Sequence, residues 1–202
     1  AVFAGTLVPG EHLQETTLAQ RLKIARGTLR EAIQALMAEG LLTKFPNRSV
    51  AVRTLTISEV EDIFRARMFL EQASARAAAI CPDSAFIPVK QALSFYEAQS
   101  QNVDKAKLAS AHIEFHTAMV GLLGLPRVAD LERSLVRDLQ LVIATLDTCC
   151  DDLPNEVERH RSLCRLCCER RVDELICQLQ FDLEEARTLA IRQIKTILND
   201  KF

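Results

Sequence analysis

The sequence predicts a mainly α-helical protein in two parts: two helices and a β-hairpin, then an antiparallel bundle of six helices. First, apolar residues recur at a period of about 3.6 from residue 58 almost to the end of the chain. Second, two β-prone runs, 41–45 and 50–52, flank a polar turn. Third, proline, glycine and aspartate interrupt the helical part at intervals that leave only short connections, as in antiparallel bundles.

The N-terminal elements follow one another within about fifty residues. Pro9-Gly10 is a turn signal. The apolar spacing then predicts one helix over 13–22 and a second over 29–37, which Gly40 is well placed to end. Helix, helix and hairpin in this order outline a winged helix-turn-helix, and we expect it to occupy residues 1–54 as a domain.

The C-terminal part, residues 55–202, is expected to be a second, all-helical domain. Ser58, with Glu59 and Glu61 behind it, is a good helix start because a serine hydroxyl can cap the helix and acidic residues suit its first turn. The sequence predicts helices over 58–80, 84–100, 104–121, 126–147, 155–169 and 172–199.

Charge divides the chain in the same way. Residues 1–54 hold seven lysines and arginines against four glutamates, a net charge of +3, and the remainder holds 18 basic and 23 acidic residues, a net charge of −5. A small basic part joined to a larger acidic part indicates that the first meets a polyanion.

Cysteine content and hydropathy bear on the compartment. Seven cysteines form no disulfide-scaffold spacing, which fits a reducing cytoplasm better than an exported framework. No run of 18 apolar residues and no signal peptide is visible, so we expect a cytoplasmic protein with no membrane contact.

The second helix carries a pattern suited to DNA. Arg26 and Arg30 lie four residues apart and hence on one helix face, and an arginine can bind both O6 and N7 of a guanine in the major groove. Thr28 can reach a phosphate or a base edge, while Lys44 and Arg48 on the hairpin can contact the flanking backbone or minor groove. The alternative is a solvated basic face without a nucleic-acid partner.

Residues 5–53 resemble the DNA-binding domain of the GntR family of bacterial regulators. The resemblance implies that Arg26, Thr28 and Arg30 belong to the recognition helix and its lead-in, that Asn47 and Arg48 form the wing tip, and that the family's first helix is cut short at residue 1. Ala25 departs from the usual serine or threonine, and Ser49 from the usual glycine. The matching residues are Gly5, Pro9-Gly10, Leu18-Ala19, Arg26, Arg30-Glu31-Ala32, Leu36, Glu39-Gly40-Leu41 and Pro46-Asn47-Arg48.

Histidines of the helical part form a second pattern. His112 and His116 are four apart, so both imidazoles project from one helix face, and neutral imidazole is a good ligand for zinc or nickel. Glu114 stands two residues after the first histidine, so the string is not a zincin motif. A histidine pair at this spacing is more often incidental or structural, and that reading stays open on spacing alone.

Residues 58–199 resemble the FCD ligand-binding domain of the FadR subfamily. The matching segments are Arg67-Met68-Phe69-Leu70-Glu71, Phe115-His116 and Glu158-Arg159-His160. The resemblance implies a site for a divalent metal, zinc first with nickel and manganese as alternatives. Its ligands would be His112, His116, His160 and Asp182. Where the family has aspartate this chain has His112, and where the family has its last histidine it has Asp182. The exchange keeps three imidazoles and one carboxylate.

Three neutral histidines, one carboxylate and a divalent ion sum to a charge of about +1, which would attract a small carboxylate effector. Arg67 could assist in binding it, although its simpler interpretation is a salt bridge to a neighbouring helix. We therefore expect a transcription regulator, with repression the expected mode, that binds double-stranded operator DNA as a homodimer and responds to a small organic acid. Two half-sites multiply affinity and specificity.

Two other functions stay open on the sequence. One is a metal-dependent enzyme acting on small carboxylates, against which the sequence shows no general base beside the predicted ligands. The other is a cysteine-based redox sensor, because three cysteines follow His160 at near-helical spacings, although buried cysteines usually pack as small apolar residues. These three are Cys164, Cys167 and Cys168.

Overall fold

The N-terminal part contains the predicted helices and hairpin. The structure, a computed structural model, describes residues 7, 9–46, 49–101, 104–143 and 153–199, with only the backbone of 141–143 and 197–199. Its first elements are α1 (Glu15–Leu22), α2 (Arg26–Ala38), β1 (Leu42–Lys44) and β2 (Val50–Val52). The strands pair antiparallel with Leu42 opposite Val52. A hydrophobic cluster drawn from residues 7–52 packs both helices against the hairpin.

Gly40 ends the second helix as the sequence predicts. It has a φ of 75°, in the left-handed region where glycine is least strained. The amide of Gly40 donates to the carbonyl of Met37, and the amide of Leu41 donates to Leu36 at 2.9 Å. These bonds occupy carbonyls that the helix end would otherwise leave without a partner, and they direct the chain into β1.

The six predicted helices of the C-terminal part are present. None of the helices in the described residues is long and apolar enough to cross a bilayer. The helix predicted over 84–100 divides into a 3-10 turn, Asp83–Phe86, and an α-helix from Ile87, with Pro88 in its first turn where the missing N–H is tolerated. Residues 144–147 of the helix predicted over 126–147 lie outside the described residues. The helices are α3 (Ile57–Ala77), α4 (Ile87–Ser100), α5 (Lys105–Gly121), α6 (Pro126–Ile143), α7 (Leu153–Cys168) and α8 (Val172–Asn199).

The start of α3 corrects one prediction. Thr56, not Ser58, is the N-cap, and it forms a capping box with Glu59 in which each side chain binds the other residue's backbone amide. Threonine and glutamate stand three apart, which is the spacing that this reciprocal arrangement needs. Two acidic residues near the helix start made Ser58 look like the cap, but Ser58 directly precedes Glu59 and so lacks the three-residue spacing that the capping box needs.

The central helix of the bundle is α3, which packs against α5, α6 and α8. One hydrophobic cluster joins α3 to α6 and α8 near Phe64, Leu139 and Ile194. A second cluster fills the opposite end of the bundle around Phe115 and Leu175. Between the two clusters, α3, α5 and α7 bring polar side chains together in the interior, and these form the candidate site.

Candidate metal centre and DNA-binding surface

Three histidines meet inside the bundle. His112 and His116 project from the same face of α5, and His160 comes from α7 opposite them. One nitrogen of each ring lies within 4.8 Å of the others. The ring centroids are 4.6 Å apart for His112 and His116, 5.1 Å for His112 and His160, and 5.4 Å for His116 and His160. The predicted histidine group is therefore brought together by the fold.

Each of the three imidazoles contacts a different polar group through Nδ1. Oε2 of Glu71 lies 3.3 Å from Nδ1 of His116, and the carbonyl of Glu156 lies 2.6 Å from Nδ1 of His160. Nε2 of His160 is buried without a hydrogen-bond partner among the described residues. Acceptors at Nδ1 keep the proton there and leave the lone pair on Nε2, which is the form that ligates a metal.

The third imidazole has a different neighbour. Nε2 of the Gln140 amide lies 3.1 Å from Nδ1 of His112. If that amide nitrogen donates, the ring proton sits on Nε2 and His112 cannot ligate through it. A half-turn of the amide presents its oxygen instead, so Nδ1–H donates and Nε2 gains a lone pair. Gln140 on α6 thus selects the tautomer of His112.

Burial keeps the three histidines neutral. It lowers the pKa of His160 to about 4, with the nearby charge of Arg67 acting in the same direction. Burial and the neighbouring rings hold the pKa of His112 well below its usual range, and burial together with Arg67 does the same for His116. Neutral imidazole is the ligand form, so at neutral pH no proton has to be removed before a metal binds.

A buried charge network adjoins the histidines. Arg67 donates from Nη2 to Glu71 at 2.6 Å and from Nε to Glu132 on α6 at 2.8 Å, and all three side chains are buried. Burial raises the pKa of Glu71, and burial raises that of Glu132 to about 8. Arg67 therefore forms the salt bridge to a neighbouring helix that the sequence offered as its simpler interpretation, and it also lines the cavity beside the histidines.

Glu71 is a site residue that the sequence analysis missed. Its Oε2 lies 3.3 Å from Nδ1 of His116, while its Oε1 accepts from Arg67. The i,i+4 spacing of Arg67 and Glu71 is the available signal, because it allows an ion pair along one face of α3. A second group of possible ligands, made by Glu71, His116 and Glu132, already holds the Arg67 guanidinium as its cation.

Asp182 lies on α8 and lines the same cavity. Its Oδ1 accepts from Gln178 at 2.8 Å, while its Oδ2 is buried without a partner among the described residues. Burial raises its pKa. The carboxylate falls outside the group whose ligand atoms are mutually within 4.8 Å, so Asp182 stays a prediction as the fourth ligand.

The cavity extends well beyond the histidines. Its volume is about 780 Å³, within the range of small-molecule sites. The histidines, Arg67 and Gln140 supply a polar part, and aliphatic side chains from α5, α7 and α8 line much of the rest. These include Leu108, Leu153, Leu163, Leu179, Leu183 and Leu189.

The predicted DNA-contacting residues lie at the start of α2. Arg26, Thr28 and Arg30 are all exposed. Arg30 is held by Glu15 of α1 at 2.8 Å, although 70% of its side chain is accessible. Ala25 is the N-cap and makes no side-chain cap, as its departure from serine or threonine implies. Lys44 is exposed at the end of β1, and the wing-tip residues 47 and 48 lie outside the described residues.

The cysteines behave mainly as apolar residues. Cys164 and Cys167 are part of a hydrophobic cluster, and burial raises the pKa of each thiol to about 12. Cys177 on α8 is exposed. A thiol with so high a pKa is a poor nucleophile at neutral pH, which disfavours the redox-sensor alternative at α7.

Two family comparisons agree with this architecture. Residues 1–52 match the bacterial regulatory proteins of the gntR family, and residues 62–189 match the FCD domain. The chain belongs to the GntR family and carries an FCD domain. Both families consist of transcription regulators rather than enzymes, and the metal-dependent enzyme alternative is thereby set aside. The predicted fold class is confirmed.

Relatives of this GntR regulator share only part of their length with it. It is 33% identical over 114 residues to the Nta operon transcriptional regulator of Aminobacter aminovorans, covering 56% of this chain and 54% of that protein. It is 34% identical over 70 residues to the HTH-type transcriptional repressor GlaR of Escherichia coli strain K12, covering 35% and 32%. The chain thus spans about half the length of the first relative and about a third of the second.

Solved structures resemble this GntR regulator over nearly all of its length. A GntR transcriptional regulator of Rhodococcus sp. RHA1 superposes with a TM-score of 0.77 at 25% identity, covering 95% of this chain and 92% of that one. McbR/YncC of E. coli superposes with a TM-score of 0.72 at 17% identity over the same shares. The second likeness shows the fold alone.

Proposed function

We propose that this GntR regulator binds double-stranded operator DNA as a homodimer through residues 1–54. A small organic acid, held at a divalent metal ion within residues 55–202, would control its affinity for the operator. The observation that carries the proposal is the buried group of three neutral imidazoles opening into a cavity of about 780 Å³. The expected mode is repression in the cytoplasm, and one relative is named a repressor.

A divalent ion fits the residues present. His112, His116 and His160 offer nitrogen ligands, and the buried oxygen of Asp182 and the buried Nε2 of His160 lack partners among the described residues. Imidazole and carboxylate together suit zinc, with nickel and manganese as alternatives. When bound, the ion would supply positive charge and open coordination positions for a carboxylate. Arg67 is a weaker candidate for direct effector binding because its charge is already shared by two glutamates.

Other residues of the chain orient the three histidines. Glu71 and the carbonyl of Glu156 orient His116 and His160, and Gln140 sets the tautomer of His112. An acid that binds one arrangement of these helices more tightly than another shifts the population toward it. Because operator half-sites have a fixed spacing, a change in the relative placement of two recognition helices changes DNA affinity.

Metal analysis tests the site directly. Protein stripped with chelator and titrated with Zn²⁺ or Co²⁺ should bind one ion per chain. His160→Ala should lose the ion, whereas His12→Ala should retain it, because His12 lies beside Phe45 in the DNA-binding part. Asp182→Asn should weaken binding about tenfold or more if this carboxylate supports the ion. Unchanged stoichiometry in His160→Ala would remove the metal centre from the proposal.

A thermal-shift screen tests the effector class. Small mono- and dicarboxylic acids should stabilise the metal-loaded protein and lose this effect after complete metal removal. The same acids should fail to stabilise His160→Ala beyond the metal-free wild type. Stabilisation that survives metal removal would place the acid elsewhere in the cavity and count against the metal-bound effector.

A further inference from the structure

One helix, α6, contacts both the histidine site and the DNA-binding part. On the site side, the amide of Gln140 contacts Nδ1 of His112 at 3.1 Å, and Glu132 accepts from Arg67 at 2.8 Å. Glu132 is connected to His116 by three successive contacts, which pass through Arg67 and Glu71. Two residues on one face of α6 therefore contact the groups that surround the metal ligands.

The same helix also holds the DNA-binding part. Asp138 binds Arg53 at 3.0 Å, and Arg53 follows directly after β2 of the hairpin. Arg137 faces Glu39, the C-terminal cap of α2, at 3.8 Å. Nε of Arg137 is buried without a partner among the described residues. The guanidinium therefore has a free donor with which it can form a different contact to the DNA-binding part.

We propose that α6 is the element that couples the histidine site to the recognition helix, an inference that rests on the proposed metal centre. Residues 137, 138 and 140 lie within one helical turn, and a helix rises about 1.5 Å per residue. A displacement at Gln140 therefore moves Asp138 with it, because the intervening backbone is a continuous hydrogen-bonded helix. Arg53 and Glu39 transmit that displacement to the hairpin and to the end of α2.

The side-chain amide of Gln140 can adopt two orientations toward His112. With its nitrogen toward His112, the imidazole carries its proton on Nε2. With its oxygen toward His112, the proton sits on Nδ1 and the lone pair on Nε2 can bind a metal. Metal binding favours the second orientation, because it needs the lone pair on Nε2. Occupancy of the site is thereby linked to the hydrogen bond that joins His112 to α6.

Other ion pairs of the ligand-bearing helices remain within the bundle. Arg133 on α6 binds Glu114 on α5, and Arg161 on α7 binds Glu97 on α4 at 2.5 Å. The second contact of Arg53, to Glu59 on α3 at 3.1 Å, offers a parallel connection along the chain. Removing the Asp138 carboxylate distinguishes the two connections, because Arg53 then loses its contact with α6 and keeps its contact with α3.

Hydrogen exchange measured with and without Zn²⁺ on the full chain tests the coupling. In the wild type, Zn²⁺ should slow exchange in α5 and α7 and change exchange rates in α2 by at least about fivefold. The double variant Glu39→Gln/Asp138→Asn should bind Zn²⁺ and protect α5 and α7 but lose the change in α2. Arg133→Gln, which removes a pair on the same helix without touching the DNA-binding part, should keep it.

The outcomes separate the two proposals. An undiminished change in α2 in the double variant would overturn the coupling through α6, as would Zn²⁺ protection of α5 and α7 in the wild type with no change in α2. If Zn²⁺ protects neither α5 nor α7 in the wild type, the metal centre itself fails. Gln140→Leu removes the contact between α6 and His112, and it should likewise abolish the change in α2 exchange at saturating Zn²⁺. The test therefore does not depend on the folding of the double variant.

Discussion

Arg67 on α3 and Glu132 on α6 form a buried ion pair, with 2.8 Å between Nε and Oε1. The other end of the guanidinium binds Glu71. Burial and the neighbouring Glu71 charge raise the pKa of Glu132 to about 8, and burial raises the pKa of Glu71, while the charge of Arg67 opposes both shifts. The helices that carry the site are thus joined by a charge pair with no access to water.

Arg67→Met should destabilise the fold by about 3–5 kcal/mol, because it leaves the buried charge of Glu71 without a partner. Arg65→Met, on the exposed side of the same helix, should cost less than about 0.5 kcal/mol, since its pair with Asp62 is 3.6 Å long and solvated. Urea unfolding followed by circular dichroism measures both. Equal stability of the two variants would show that the network does not support the fold.

Arg30→Ala should abolish specific operator binding while leaving the fold and the metal content unchanged. Loss of a bidentate contact to guanine costs about 1–3 kcal/mol of discrimination at that base pair. Glu15→Gln should have the opposite effect and raise DNA affinity, because Glu15 competes with DNA for the Arg30 guanidinium and repels phosphate. Electrophoretic mobility shifts at physiological salt check both, and specific binding by Arg30→Ala equal to wild type would refute the recognition-helix assignment.

Glu59 should make stability depend on acid pH. The hydrogen bond from the Thr56 backbone amide, with Thr56 Oγ1 and Arg53 assisting, lowers the pKa of this carboxyl below 4.5. A depressed pKa stabilises the folded state above the unfolded carboxyl pKa, and this contribution is lost as the pH falls through the folded value. Glu59→Gln should therefore be less stable than wild type at pH 7, and the difference in stability should close as the pH falls through the folded pKa of Glu59.

Asp62→Asn is the control for the loss of a carboxylate from α3. Asp62 lies on the same helix, 77% of its side chain is accessible, and it makes no cap. The stability of Asp62→Asn should differ little from wild type at pH 7, because a solvated surface pair contributes little. A gap for Glu59→Gln that stays constant down to pH 3 would show that the capping carboxylate is not what titrates.

Thiol labelling should distinguish Cys177 from the cysteines of α7. Cys177 is exposed, whereas burial raises the pKa of Cys164 and of Cys167 to about 12. Iodoacetamide at pH 7.5, followed by peptide mass spectrometry, should modify Cys177 at least about tenfold faster than either buried thiol. Labelling of Cys164 or Cys167 as fast as Cys177 would reopen the redox-sensor interpretation.

Local pattern predicted the elements and part of the site. The spacing of His112 and His116 placed two imidazoles on one face of α5, and Gly40 marked the end of α2, because both depend on residues within one or two helical turns. His160 required the family resemblance, since the sequence separation between α5 and α7 says nothing of how they pack. The cap of α3 was missed because Thr56 and Ser58 have equal chemistry and only the spacing to Glu59 separates them.

Partners from distant helices were outside the reach of the sequence. Glu71 contacts His116 only because α3 packs on α5, and Gln140 contacts His112 only because α6 packs on the other side. Asp182 was placed by an ungapped count from His160. The fold brings Asp182 to the same cavity but leaves it outside the tight histidine group. Its position about three turns into α8 determines this placement.

The most direct measurement is operator affinity with and without metal. Selection from a random duplex library with the Zn²⁺-loaded and the chelator-treated protein would yield operator sequences, and their dissociation constants would be compared in wild type and His160→Ala. We expect a two-fold symmetric sequence whose affinity changes at least about fivefold on metal removal in wild type and not in His160→Ala. Equal affinity in both conditions for the wild type would contradict control of DNA binding from this site.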